Sequence, residues 1–400
     1  MSYIEKGTPD FWKASTALFA GGFVTFSTLY YTQPLLPVFA ERFHVSPAVA
    51  SLSLSLSTTA LAFAMLGIAP LSERVGRKPV MAFALFASSL VALLSAFTPN
   101  FTSLLVLRVL QGIVLAGLPA IAMAYVGEEF HPYSLGAAMG LYVSGTSIGG
   151  MSGRIITGMV TDYFSWQAAV VTIGMISILC SLYFLYGLPN SLHFKPHPMS
   201  LRQMGFSFLH HLRTPTLLSL FIISFFLMGS FVTLYNYIGF LLMKPPYNLS
   251  QTAMGWIFIV YLVGTFSAVW MGRLADRHGR GITLALSLLL MLVGALLTLL
   301  PVLWVILFGL ALFTFGFFAG HAVASGWVGK IAVVDKAQAS SLYLLFYYVG
   351  SGLMGSTGGI LLSLFHWVGI ILFISAAQIS ALLLNGYLYF FEKKKKAIET

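Results

Sequence analysis

Charge is what this chain lacks. Of its 400 residues, 11 are Asp or Glu and 21 are Lys or Arg, together 8%. A soluble globular domain carries about 25% charged residues, and water does not solvate a surface this poor in them. Hydrophobic residues make up 58% of the chain and the mean hydropathy is +0.90, so lipid is the solvent for most of it. Cysteine is nearly absent too: Cys180 stands alone inside an apolar run, which excludes a disulfide scaffold and reads as a small core residue. No G-x-x-x-x-G-K-[ST] phosphate loop occurs, nor any metal-ligand cluster or nucleophile–base set. ATP hydrolysis and enzyme catalysis are therefore not expected, and no cofactor or metal is implied.

The apolar runs are long. A membrane helix needs about 20 mostly apolar residues, and the chain offers twelve such stretches, near 14–40, 47–70, 79–97, 101–126, 136–160, 166–188, 214–242, 250–272, 281–300, 302–328, 338–364 and 368–391. They are continuous rather than alternating, which argues against a membrane β-barrel. The first is too long for a cleavable signal peptide. Lys and Arg in the connecting loops set the orientation. With the N-terminus inside, the inner segments hold Lys6 and Lys13, Arg74, Arg77 and Lys78, Lys195, Arg202 and Arg213, Arg273, Arg277 and Arg280, Lys330 and Lys336, and Lys393 to Lys396. The outer loops hold only Arg42 and Lys244. Both termini are then expected on the cytoplasmic side of a cell inner membrane. The net charge of +10 is accounted for without nucleic acid, and the terminal lysines suit anionic headgroups.

The chain repeats itself. PLSERVGRKP follows the second stretch and GRLADRHGRG the eighth, and GTSIGGMSG in the fifth matches GSGLMGSTGG in the eleventh. The expected organisation is an all-α membrane protein of two pseudo-symmetric six-helix bundles, 1–188 and 214–400. A cytoplasmic linker at 189–213 joins them, beginning with Pro189, Pro196 and Pro198. Within it Leu201, Met204, Phe208 and Leu212 follow helical spacing, as in an amphipathic surface helix. His193, His197, His210 and His211 are close in sequence, but no Cys or carboxylate joins them in a ligand pattern. A parallel six-span repeat places cargo near the midplane between halves that rock alternately.

At these residues the chain resembles the major facilitator superfamily over essentially its whole length. The superfamily pattern G-x-x-x-D-R-x-G-R-[RK] is matched by Gly272, Asp276, Arg277, Gly279 and Arg280. The first copy is degenerate, with Ala69 and Glu73 at the Gly and Asp positions and Arg74, Gly76, Arg77 and Lys78 in place. RVLQGIVLAG in the fourth stretch resembles the R-x-x-Q-G pattern of drug exporters. Gly149, Gly150, Met151, Ser152, Gly153 and Arg154 resemble a variant of the antiporter pattern G-P-x-x-G-G. With YYTQPLLP in the first stretch, the whole is similar to the drug:proton antiporter branch, in particular its YnfM-like group of bacterial exporters. The resemblance implies proton-coupled export of small organic or amphipathic compounds by a protein expected to act as a monomer. Uptake symport of a sugar or organic anion is the alternative within transport, and a lipid-handling flippase the alternative from another class. A non-transporting receptor or scaffold is a third, but has no need of two matched loops and buried Arg.

Particular residues carry expectations. A central membrane Arg costs about 2.5–3.5 kcal/mol, so Arg108 should face a polar cavity or a partner, with Gln111 on the same face. Arg154 should pair with Asp162 or approach the same cavity. Tyr30, Gln33, Tyr235 and Asn236 interrupt apolar stretches as cavity lining or as an outer aromatic belt. No Asp or Glu lies in the middle of any stretch, which leaves His321, whose type titrates near neutral pH, as the leading proton carrier, with Arg108 and Asp162 beside it. Glu73, Arg74, Arg77, Glu128 and Glu129 are expected to form an inner conformational lock, and Asp276, Arg277 and Arg280 its counterpart, with Asp335 as a possible partner. Gly145, Gly149 and Gly153, and Ser351, Gly355 and Gly359, recur every four residues, a spacing that permits close helix packing; a tight contact between the halves is expected there.

Overall fold

A computed structural model describes residues 3–194 and 201–399. Helices dominate: α1 Pro9–Tyr30, α2 Leu36–Arg42, α3 Pro47–Val75, α4 Arg77–Ser95, α5 Phe101–Leu115, α6 Pro119–Glu129, α7 Leu135–Tyr163 and α8 Trp166–Gly187 in the first part of the chain. After α9 Leu201–Leu212 come α10 Pro215–Leu242, α11 Gln251–Ile257, α12 Tyr261–His278, α13 Arg280–Leu297, α14 Leu303–Ile331 and α15 Lys336–Glu399. Among the described residues the sole β feature is a bridge between Ile4 and Phe130.

Local chemistry sets the helix ends. Thr8, Asn100, Ser165 and Ser250 are N-caps whose side chains accept from the backbone N–H three residues on, satisfying a donor the helix leaves open. Pro119 opens α6 and so separates it from α5. Gly76 (φ 101°) and Gly279 (φ 93°) make the turns between α3 and α4 and between α12 and α13. A side chain there would be forced into the left-handed region that glycine enters freely. The long α15 is two helices joined at His366, where φ is 55°.

Among the described residues, nine segments are long and apolar enough to cross a bilayer. One of them, Lys336–Phe390, is the kinked pair. Helices α1 and α7 are also of spanning length, at 22 and 29 residues, but their Ser, Thr and Gly content lowers their hydropathy. With the kinked segment taken as two and these added, twelve spans result, at the places the apolar runs mark.

The chain divides into two compact units. Unit 1 comprises Met1–Val45, Leu52–Met199 and Asn248–Phe258; unit 2 comprises Ser46–Ser51, Ser200–Tyr247 and Ile259–Thr400. In unit 1, α7 lies along α1, and a Cβ built on Gly153 would sit 2.8 Å from the Ser27 Cα. Gly145 and Gly149 approach Phe19 and Phe23 in the same way. This glycine row therefore packs two helices of one unit, not the two halves of the sequence, because its every-fourth spacing follows the α1 backbone. In unit 2 the equivalent contacts of α15 with α10 use Gly350 against Phe225 and Gly358 against Thr233 and Tyr237. Of the expected row, Gly359 faces Ala48 and the Tyr237 hydroxyl, and the Gly355 carbonyl accepts from that hydroxyl at 2.5 Å.

Candidate functional site

The first span breaks where the sequence reads YYTQPLLP. Helix α1 stops at Tyr30, a 3-10 turn covers Gln33–Leu35, and α2 resumes at Leu36. Pro34 has no N–H, and the turn diverts the donors that would have closed the last rung, so carbonyls near the α1 end are left open. Arg108 of α5 closes them. Its Nη1 donates to Thr28 O at 2.9 Å and its Nη2 to Leu29 O at 2.5 Å. Its Nε donates to Ser53 O of α3 at 2.6 Å. Nη1 also donates to the Gln111 side-chain oxygen, and the guanidinium carbon lies 4.9 Å from the Tyr31 ring centre. A cation here also suits the negative end of the α1 dipole.

Arg108 and Gln111 are both 0% exposed. The expectation of a cavity-facing Arg108 is thus replaced by an internal tie: backbone carbonyls, an amide and an aromatic face compensate the charge. Gln111 Nε2 donates onward to Ser88 O at 3.3 Å, and the Ser57 hydroxyl donates to Arg108 O at 2.6 Å.

Arg154 of α7 reaches the same break from the other side. Its Nε donates to Gln33 Oε1 at 2.7 Å and its Nη1 to Gly150 O at 2.5 Å. The guanidinium lies against the Tyr30 ring at 4.3 Å and the Phe258 ring at 4.8 Å. Tyr30 and Gln33 are buried, as is Arg154, so all three come together as a cluster, to which the structure adds Phe258. The pairing of Arg154 with Asp162 does not form. Two turns of helix separate them, and the exposed Asp162 carboxylate instead accepts from Thr252 N–H at 3.2 Å. That exposure also places Asp162 at the helix end, away from the buried cluster expected to share a proton. Just below it, a Cβ on Gly158 would sit 2.6 Å from Gln251 O, so α11 packs closely on α7 within unit 1.

Unit 2 holds a separate, aromatic constellation. The Tyr235 and Thr314 hydroxyls are 2.6 Å apart, and Asn236 is buried beside Tyr235. Phe231 stacks on Phe317 at 3.8 Å, and Tyr261 edges onto Tyr235. One turn beyond Phe317, the half-buried His321 places its Nδ1 3.0 Å from the Tyr343 hydroxyl, with the Tyr347 ring 4.8 Å away. The expected residues Tyr235, Asn236 and His321 thus belong to unit 2, and Tyr30, Gln33, Arg108, Gln111 and Arg154 to unit 1.

The two repeated loops are both paired, but unequally. Arg77 is 5% exposed and bridges Glu73 and Glu128, each at 2.6 Å. It also donates to the Ser72 hydroxyl at 2.6 Å. Arg280 meets Asp276 at 3.7 Å and donates to Gly326 O at 3.0 Å. Arg74 and Arg277 point outward and are exposed. Glu129 does not join the arginine network: its carboxylate turns to His193. Asp335 contributes its backbone carbonyl, which lies 3.3 Å from His211 Nε2. His193 and His211 therefore face different groups, and His197 lies outside the described residues.

The partners that a single sequence does not mark are Tyr31, Phe258, Thr314, Tyr343 and His193. Gly350 and Gly358 did carry a signal: laying GTSIGGMSG on GSGLMGSTGG from their first glycines sends Gly145 and Gly153 onto them.

Comparison with known proteins agrees with this architecture. The Major Facilitator Superfamily family model matches residues 18–244 and 220–399. An uncharacterized MFS-type transporter of Bacillus subtilis, YybF, is 51% identical over 388 residues, 97% of this chain and 96% of its own. The inner membrane transport protein YnfM of Escherichia coli is 44% identical over 387 residues, 97% of this chain and 93% of its own. Among solved structures, a bacterial homologue of the human lysosomal transporter Spinster, inward-facing and unoccupied, superposes with a TM-score of 0.78 at 16% identity, covering 96% of this chain and 97% of that one. The chain is a multi-pass membrane transporter, not an enzyme, and it belongs to the Major Facilitator Superfamily.

Proposed function

We propose that this transporter exports small organic, amphipathic compounds in exchange for protons, by alternating access between bundles 1–188 and 214–400. The observation that carries the reading is the Arg154 cluster. A buried guanidinium lies between two aromatic faces and donates to the neutral Gln33 amide and to Gly150 O. Cargo with an aromatic body and a polar or anionic group matches such a surface, as cation–π and hydrogen-bonding contacts strengthen when water is excluded. Within unit 2, Tyr235, Asn236 and the rings around them form an amphipathic surface of their own.

His321 is the proton carrier in this reading. It is the histidine within the middle of a span, and its Nδ1 has a hydroxyl partner in Tyr343 to relay or stabilise a proton. Arg108 positions the broken first span that presents Tyr30 and Gln33. The Arg77 and Arg280 networks hold the inner side closed in one state. Both termini are cytoplasmic and the protein acts as a monomer in the inner membrane.

A second reading, uptake of an organic anion by symport, draws on the cationic character of the deep side-chain charge. One assay separates the two. Purified protein in proteoliposomes is given a pH gradient of either sign and a panel of aromatic cations, neutrals and anions, with internal pH monitored. Proton–cargo exchange that Arg154→Gln weakens by raising KM, and that His321→Gln uncouples from pH, supports export by antiport. Cargo and protons moving in the same direction would favour symport, and cargo flux indifferent to the gradient in both variants and wild type would sink proton coupling.

A further inference from the structure

Helix α6 ends on two consecutive carboxylates, and they go opposite ways. Glu128 engages Arg77. Glu129, 2% exposed, receives the start of the linker: Oε1 accepts from the His193 backbone N–H at 2.9 Å, and Oε2 lies 3.1 Å from His193 Nδ1. Tyr3 stacks on that imidazole at 4.3 Å with the planes 10° apart. The N-terminal stretch is itself laced to the chain after α6. Ile4 N–H donates to Glu129 O at 2.9 Å, His131 N–H to Ile4 O at 3.0 Å, and Lys6 N–H to Ser134 Oγ at 2.8 Å. At the other end of the docked linker segment, the Tyr125 hydroxyl donates to Pro189 O at 2.9 Å. The residue after His193 completes the arrangement, for the Phe194 ring lies 5.0 Å from the Arg77 guanidinium carbon.

A buried carboxylate is costly unless hydrogen-bonded, and the groups that satisfy Glu129 come from a loop segment of a kind ordinarily loosely held. Burying Glu129 is useful only while that segment is docked. We infer that the N-terminal strap of Tyr3–Lys6 and the linker start at Pro189–Phe194 form one cooperative clasp over the Arg77–Glu128 pair. Glu129 is its catch, His193 its tongue and Phe194 the cover on Arg77. The linker start cannot leave without stripping the strap of its stacking partner and opening Arg77 to water. Because this linker joins the two six-span repeats, a pull along it arrives at the end of α6 beside the inner ion pair. The inference concerns coupling within unit 1 and does not depend on the cargo.

Hydrogen exchange read by mass spectrometry on the full protein in nanodiscs tests it, comparing wild type with Glu129→Gln, His193→Ala and Tyr3→Ala. Tyr3 is 46% exposed, so its variant has no core to disrupt. In each variant, peptides covering 3–8, 72–79 and 189–194 should all exchange about tenfold faster, the ratio that corresponds to roughly 1.4 kcal/mol of lost contact, while α13 peptides stay unchanged. Faster exchange confined to the mutated segment, with 72–79 as protected as in wild type, would overturn the clasp. So would an equal rise in α13, which would mean general loosening.

Discussion

Replacing Arg108 by lysine keeps the charge and tests whether that residue is a tie or a cargo contact. The guanidinium serves three backbone carbonyls on two helices, Thr28 O, Leu29 O and Ser53 O, at 2.5 to 2.9 Å, together with Gln111. A planar fork does this from one position; a compact ammonium on a single stem does not reach α1 and α3 at once. One or two of the carbonyls then stay buried without a donor, at about 1–3 kcal/mol each, so Arg108→Lys should lose roughly 2–4 kcal/mol. Arg108→Ala orphans all three carbonyls but also removes a charge whose insertion costs about 2.5–3.5 kcal/mol; its net loss should be similar or slightly larger. The assay is denaturant-induced unfolding in detergent, followed by tryptophan fluorescence, beside transport per folded molecule. The tie requires stability to fall in both variants, with transport falling in step. A lysine variant as stable as wild type that no longer moves cargo would refute it and return Arg108 to the cavity.

Three further outcomes follow from contacts already described. Gly153→Leu should separate α7 from α1, because the new side chain meets Ser27 within 3 Å; folded yield after purification should drop severalfold, whereas Gly140→Leu, in open space, should be tolerated. Gly158→Leu should prevent α11 from seating on α7, seen as faster maleimide labelling of a cysteine placed at Thr252 in a Cys180→Ser background; unchanged labelling counts against the contact. Arg77→Gln should cost more than Arg280→Gln, about 2 kcal/mol against less than 1, since the first loses two partly buried carboxylates and the second a long contact to an Asp276 that is 74% exposed. Equal unfolding midpoints for the two variants would contradict that ranking.

Composition and periodicity made the architecture readable, because lipid imposes length and apolarity on every span. The repeated loops were readable for a related reason: two similar motifs a fixed distance apart demand similar turns, and Gly76 and Gly279 provide them with nearly the same φ. The small-residue rows were visible, but not their partners. Spacing of four says that a backbone comes close; it does not say whose. Gly145, Gly149 and Gly153 meet α1 of their own unit. Arg108 and Glu129 show the harder limit. The sequence exhibits the cost of burying each charge, whereas what offsets it is backbone: carbonyls opened by a helix break in one case, a linker amide in the other. Main-chain groups have no letter in the sequence, so a buried charge satisfied by them looks the same as one reserved for cargo.

That distinction reorganises the polar residues around the break at Tyr31–Leu35. A continuous α1 would close the carbonyls of Thr28 and Leu29 by itself, and Arg108 would then have nothing to hold. Because the turn opens them, Arg108 is required on one side, and Gln33, carried into the bundle by the turn, is presented to Arg154 on the other. The neighbouring tyrosines split accordingly, Tyr31 lying against Arg108 and Tyr30 against Arg154. The two arginines are therefore unequal. Arg108 is spent on backbone that cannot do without it. Arg154 is held by the Gln33 amide, two rings and a single carbonyl, Gly150 O, of its own helix. The broken first span thus carries, between Thr28 and Gln33, both the backbone that Arg108 ties down and the side chain that Arg154 engages.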